Sequence, residues 1–260
     1  MCSIQTTTMQ LPDHHINADA TADQLEILYL DDYLIAVNKP SGLLVHRSNI
    51  DFHEADSARD RLYQQIRRDV FPVHRLDKPT SGVQLFALDR SSAATSAEQF
   101  KNQLVSKSYL AVVRGYVNNS ETINNPVKDR DAPQKPRKQA STQIQPVAQL
   151  ELPVSVDKKY PTARYSLVRA KPLSGRRHQI RQHMKHIGHP IVGDTSYGKS
   201  IHNHFFSDYF SSSRLLLHAE SLEICHPHTG SVFRIQAPQY DKAFKQVLTA
   251  CEWRWCGNER

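Results

Sequence analysis

At 260 residues, with 39% hydrophobic and 23% charged residues, the chain can bury a sizeable core, and no window approaches the ~20 apolar residues that a membrane span needs. Lys and Arg number 33 against 26 Asp and Glu, a net charge of +7 that favours a polyanionic partner. Four cysteines without a Cys-x-x-Cys pair, fourteen histidines without His-Glu-x-x-His and the lack of a Gly-rich phosphate loop leave no disulfide framework, metal site or cofactor to expect.

Residues 1–24 are polar and aperiodic, have no secretory pattern and are expected to form a loose tail. Order is expected from residue 25 to 260, as one catalytic domain in a cytoplasmic monomer. Two apolar runs around Asp31-Asp32 predict a hairpin, closed by Pro40-Ser41-Gly42. The segment 43–47 follows, and its His46-Arg47 end is either a solvated strand end or a substrate-facing tip. Ser57 opens a capping box, and Ala58, Leu62 and Ile66 at intervals of four predict a helix over 58–69.

A second helix is expected from Ser91, with Ala94, Ala97, Phe100 and Leu104 on one side, then a strand over 107–115 ending at Gly115. The span 118–149, with four prolines and a cluster of Lys and Arg, predicts a long excursion with a basic tip. A strand over 163–170 precedes a basic helix over 176–187 with Ile180, Met184 and Ile187 turned inward. Residues 196–213 predict a polar, aromatic-spotted excursion. A short strand over 215–219, a hairpin over 222–235 and a last helix capped by Asp241 complete the chain. Strands and hairpins mixed with a few helices, without a βαβ rhythm, indicate an α+β fold on a mixed, mostly antiparallel sheet.

The string His74-Arg75-Leu76-Asp77-Lys78-Pro79-Thr80-Ser81-Gly82 sets one carboxylate among cations, next to an apolar run over 83–88. Taken alone, Asp77 is either the cap of its own turn or an ionised group poised for nucleophilic or base chemistry. Tyr109 is either a core tyrosine or a platform for a base, and Arg181 taken alone is a helix-surface cation. The nine-residue string resembles the H-R-L-D-x-x-T-S-G signature of the RluA-type pseudouridine synthases. Three further segments are similar to the same family in the expected order: Lys107-Ser108-Tyr109, residues 174–181 (Ser174-Gly175-Arg176-Arg177-His178-Gln179-Ile180-Arg181, with Ser174 where Thr is usual) and residues 214–219 (Arg214-Leu215-Leu216-Leu217-His218-Ala219).

The resemblance implies a pseudouridine synthase fold with flanking helices and loops around a central cleft and a catalytic Asp77; no S4-type segment of the kind many members carry is evident before Glu26. It implies that Tyr109 stacks on the target base, that Arg181 pairs with Asp77, that Leu217 closes the pocket against water and that Arg75 fills the gap left in the RNA stack. His74, Arg176, Arg177, His46 and Arg47 are the remaining expected RNA contacts. Residues 42–48, 160–165 and 181–183 resemble the members that modify uridine 65 of tRNA, so tRNA is the expected partner; an rRNA target and a non-catalytic RNA-binding protein of the same fold are the alternatives.

Overall fold

The computed structural model describes residues 24–47, 56–130, 132–237 and 240–256; the expected tail lies outside them except for Gln24, as does Ser48. Asp31 makes the first turn, its Oδ1 accepting the Tyr33 and Leu34 amides at 2.8 and 2.7 Å. The strands it joins, β1 (Glu26–Leu30) and β2 (Leu34–Lys39), pair antiparallel as predicted. Among the described residues, 43–47 make one bridge, Leu44 to Ser57, and the Leu44 and Val45 carbonyls accept the Ala58 and Arg59 amides. The segment therefore seeds α1 (Ala58–Ile66), whose Ser57 cap accepts the Asp60 amide at 3.2 Å. Arg67, left-handed at φ 55, ends that helix earlier than the periodicity suggests.

After β3 (Phe71–Pro72) and β4 (Ser81–Ala87), helix α2 (Arg90–Lys101) begins from Asp89, not Ser91. Asp89 takes the Ser92 amide at 2.8 Å and the Ser92 hydroxyl at 2.6 Å. That start turns Ser92, Ala93, Ser96 and Phe100 inward and leaves Ala94, Ala97 and Leu104 exposed.

Next come β5 (Ser106–Arg114), β6 (Glu121–Asn124), β7 (Ser141–Leu152) and β8 (Ala163–Pro172). The long excursion expected over 118–149 is thus corrected to two paired strands and a connection between them. Its alternation of Gln143, Gln145 and Glu151 outward with Thr142, Ile144 and Leu150 inward is a period-two pattern, and Pro146 sits at a register shift that accommodates its missing N–H.

The rest is α3 (Gln179–His186), α4 (Ser200–Phe210), β9 (Leu217–Cys225), β10 (Val232–Gln236), α5 (Lys242–Thr249) and the two-residue β11 (Arg254–Trp255). Helix α4 replaces the excursion expected over 196–213, because Phe206 and Phe210, four apart, bury one side against the core.

All eleven strands among the described residues join one sheet, ordered β1-β2-β4-β9-β5-β8-β7-β11. Alternation along β5 feeds two cores: Leu110 and Val112 pack with Phe206, Phe210 and Phe244 of α4 and α5, while Ala111 and Val113 pack with Ile180 and Met184 of α3. In the other half, Val37 and Phe86 pack under Leu62 of α1, and Leu34 and Leu85 pack towards Phe100 of α2.

The halves meet where β4 and β9 run parallel for two pairs, Ser81↔His218 and Gly82↔Ala219. Gly82 belongs to this strand and not to the preceding turn. It sits at φ +105 so close to the Ala219 backbone that any Cβ would overlap the Ala219 carbonyl. Tyr109 packs against the clusters of both halves.

Candidate active site

The loop carrying Asp77 enters this seam and is braced from every side. A backbone bond from the Thr80 amide to the Asp77 carbonyl at 3.0 Å closes the turn, and the Gly42 amide reaches the Lys78 carbonyl at 2.9 Å. Gln84, the one polar side chain inside the apolar run of β4, accepts the Leu76 amide at 3.1 Å and donates to the His74 carbonyl at 2.8 Å. Buried Lys39 donates its Nζ to the carbonyls of Leu43, Pro40 and Lys78 at 2.8, 2.9 and 3.2 Å, three acceptors for the three N–H of an ammonium. Burial and the Arg214 cation draw its pKa down to about 7, and Asp77 opposes them.

Ser81 ties the loop to β9. His218 gives its Nε2 hydrogen to the Ala237 carbonyl (3.0 Å), so its Nδ1 accepts the Ser81 hydroxyl at 2.8 Å. The Ser81 oxygen in turn accepts from Arg214 Nη1 at 3.0 Å, and Arg214 also pairs with Asp241.

With its backbone held this way, the Asp77 carboxylate is free of turn-capping duty and faces α3. Arg181 Nη1 donates to Asp77 Oδ2 at 3.3 Å, and His178 Nε2 lies 3.7 Å from the same oxygen. The Arg181 guanidinium is 5.2 Å from the centre of the Tyr197 ring and is held from its other edge by Asp194: Nε to Oδ2 at 2.8 Å and Nη2 to Oδ1 at 2.9 Å. Burial works against charge on Arg181, but the Asp194 hydrogen bonds and the Asp194 and Asp77 charges outweigh it and raise its pKa. Burial lowers the pKa of His178, with Asp77 opposing. His178 itself sits left-handed at φ 53 just before α3, its Nδ1 3.1 Å from the Tyr197 hydroxyl.

A cavity of about 420 Å³ opens here, and Asp77, Tyr109, Arg181 and Leu217 all line it. Burial and the nearby Asp77 charge raise the Tyr109 pKa, so its phenol stays protonated. Arg75, Arg176 and Arg177 form the cationic rim, and Phe100 and Lys107 contribute to the wall.

Not every expected contact belongs to this rim. His74 lines the cavity, but its Nε2 accepts the Leu85 amide at 3.0 Å and its ring stacks on Phe100. Burial pushes its pKa down to about 3, so it is a neutral brace rather than one of the cations around Asp77. His46 and Arg47 are not among the cavity's lining residues; Arg47 pairs with Asp60 at 3.0 Å at the start of α1. The basic connection between β6 and β7 is pinned beside the cleft, since Lys128 exchanges backbone hydrogen bonds with the Gln182 side chain at 3.0 Å each and Arg130 lies over Tyr197.

Residues 33–186 match the model of the RNA pseudouridylate synthases. The chain belongs to this family. Among its curated relatives, tRNA pseudouridine synthase C of Vibrio cholerae is 43% identical over 88% of this chain and 97% of its own length. The protein of the same name from Pasteurella multocida is 47% identical over 88% and 97%. The solved structure of human RNA pseudouridylate synthase domain containing 1 superposes with a TM-score of 0.68 at 25% identity, covering 91% of each chain.

In this pseudouridylate synthase, sequence reasoning missed Lys39, Gln84, His178, Asp194 and Tyr197 around the site. Gln84 left a signal, a lone amide within Val83-Gln84-Leu85-Phe86 that must find partners once buried. Asp194 left none, because its loop gives no sign that it closes on α3.

Proposed function

We propose that the protein isomerises a uridine in tRNA to pseudouridine, with Asp77 as the group that acts on the ribose and uridine 65 as the target. The observation that carries this reading is the Asp77 carboxylate, freed from its turn and held by Arg181 in a cavity that Tyr109 and Leu217 also line. The names of the relatives support tRNA as the substrate, and the resemblance of residues 42–48, 160–165 and 181–183 supports uridine 65.

The isomerisation breaks N1–C1′, turns the uracil and joins C5 to C1′; C5 loses a proton and N1 ends with one, so no oxidant, reductant or second substrate is consumed. The stacked uridine must first leave the helix, at a cost of a few kcal/mol. Tyr109 offers the flipped base an aromatic face, Leu217 keeps water from the glycosidic carbon, and Arg75, one of the exposed cations lining the cavity, enters the vacated stack. Asp77 acts at C1′ or on the C2′ proton, with Arg181 stabilising its charge. We take residues 25–260 as one catalytic domain of a cytoplasmic monomer. Among the described residues no helix is long and apolar enough to cross a membrane.

The test is mass-mapping of pseudouridine in tRNA and rRNA treated with wild type and with Asp77→Asn. The variant is expected to bind tRNA as wild type does and to lose turnover by roughly 10³-fold or more. Turnover near wild type in Asp77→Asn, or product in rRNA alone, overturns the assignment.

A further inference from the structure

We propose that Asp194 is a positioning residue for the isomerisation: by occupying the Nε–Nη2 edge of Arg181 it forces that arginine to offer Asp77 a single N–H and leaves the second Asp77 oxygen to the nucleoside. The inference rests on the pseudouridine synthase reading above.

Asp194 is 1% exposed, and its carboxylate is fully committed. Oδ2 accepts Arg181 Nε, while Oδ1 accepts Arg181 Nη2 and the Ser196 and Tyr197 amides, each at 2.9 Å. Its backbone is equally fixed. The Asp194 carbonyl accepts the Gly198 amide at 2.9 Å and Asn203 Nδ2 at 3.0 Å, and Asn203 Oδ1 takes the Gly193 amide at 2.8 Å. Gly193 is so close to Arg214 that a Cβ there would overlap the Arg214 carbonyl. The cradle is thus anchored on the strand entry that also carries Leu217.

Two carboxylates compete for one guanidinium. Bidentate pairing is the stronger arrangement, and here the buried Asp194 takes it, so Asp77 receives only Nη1, at 3.3 Å. Among the described residues Asp77 Oδ1 accepts no hydrogen bond. Without the Asp194 charge, the fork of Arg181 swings to Asp77 and covers both of its oxygens.

Single-turnover rates, tRNA affinity and Tm of Asp194→Asn, Asp194→Glu and Arg181→Gln test this. Asp194→Asn is expected to slow the saturated rate on the order of 10²-fold while Kd for tRNA stays within about twofold, a displacement of the reacting group and not of the groove. In an Arg181→Gln background, Asp194→Asn is expected to add little, because both changes act through one guanidinium. Asp194→Glu, which keeps the charge, is expected to recover part of the rate; it also supplies the rate comparison with wild type if the Asn variant does not fold. A saturated rate equal to wild type in Asp194→Asn, additive losses in the double variant, or a Glu variant as slow as Asn overturns the proposal. If wild type itself makes no pseudouridine, the functional reading fails instead.

Discussion

Single atoms decide much of this site. Gly82 lies where the two half-sheets touch, and its missing Cβ lets β4 and β9 pair directly in front of the Asp77 loop. Gly82→Ala must both move the Ala219 carbonyl and hold an L-residue at φ +105. It is expected to cost about 3 kcal/mol or more, which lowers Tm by about 6 °C or more in a chain of this size. Thermal unfolding followed by circular dichroism reads it; a Tm within about 2 °C of wild type removes the steric argument. Lys39 and Gln84 show the same economy, each a buried polar side chain whose hydrogen bonds hold the backbone on either side of Asp77.

Helix α4 is held at the element scale by a histidine rather than by phenylalanines alone. His202 Nε2 accepts from Arg114 Nε at 3.1 Å, and its Nδ1 meets the Tyr165 hydroxyl at 2.8 Å, so α4 is tied to both β5 and β8. A guanidinium N–H can only donate, which leaves no room for a hydrogen on Nε2. Burial, with the Arg114 charge second, pushes the His202 pKa from 6.5 to about 4. The unfolded chain therefore binds the proton more readily than the folded one. The stabilisation is complete above pH 6.5 and is lost as pH falls towards 4. Between pH 7 and about 4, the Tm of wild type is expected to fall further than that of His202→Gln, which keeps an acceptor but cannot titrate. Parallel curves for the two proteins contradict the assignment.

Over the whole molecule, the sheet supplies a rigid seam and the cations collect along its mouth. Arg75, Arg176 and Arg177 rim the cavity, the net charge is +7, and the Lys128 segment is fastened to α3 beside them. RNA affinity is therefore expected to fall steeply with salt through counterion release. Replacing Arg176 and Arg177 with alanine should weaken tRNA binding and reduce the slope of log Kd against log salt by about 1–2. Filter-binding titrations at several salt concentrations measure both slopes; a flat wild-type response leaves the basic rim without an electrostatic role.

The sequence alone singled out four residues that the structure brings to one cavity, and it determined most of the strands. Asp77, Tyr109, Arg181 and Leu217 sit in contiguous strings specific enough to be recognised, and strand and helix periods are local properties of the chain. Local pattern failed where a competing local signal was louder: the prolines and lysines of 118–149 masked the alternation of β7, and the polar residues of 196–213 hid the Phe206–Phe210 face of α4. Only the tertiary structure decided which charges meet. Arg181 and Asp77 are 104 positions apart, and their geometry is set by Asp194 from a third segment. Likewise, His74 became a neutral brace and Arg47 an ion-pair partner of α1 because burial and neighbours, not residue type, settle whether a side chain is charged and what it faces.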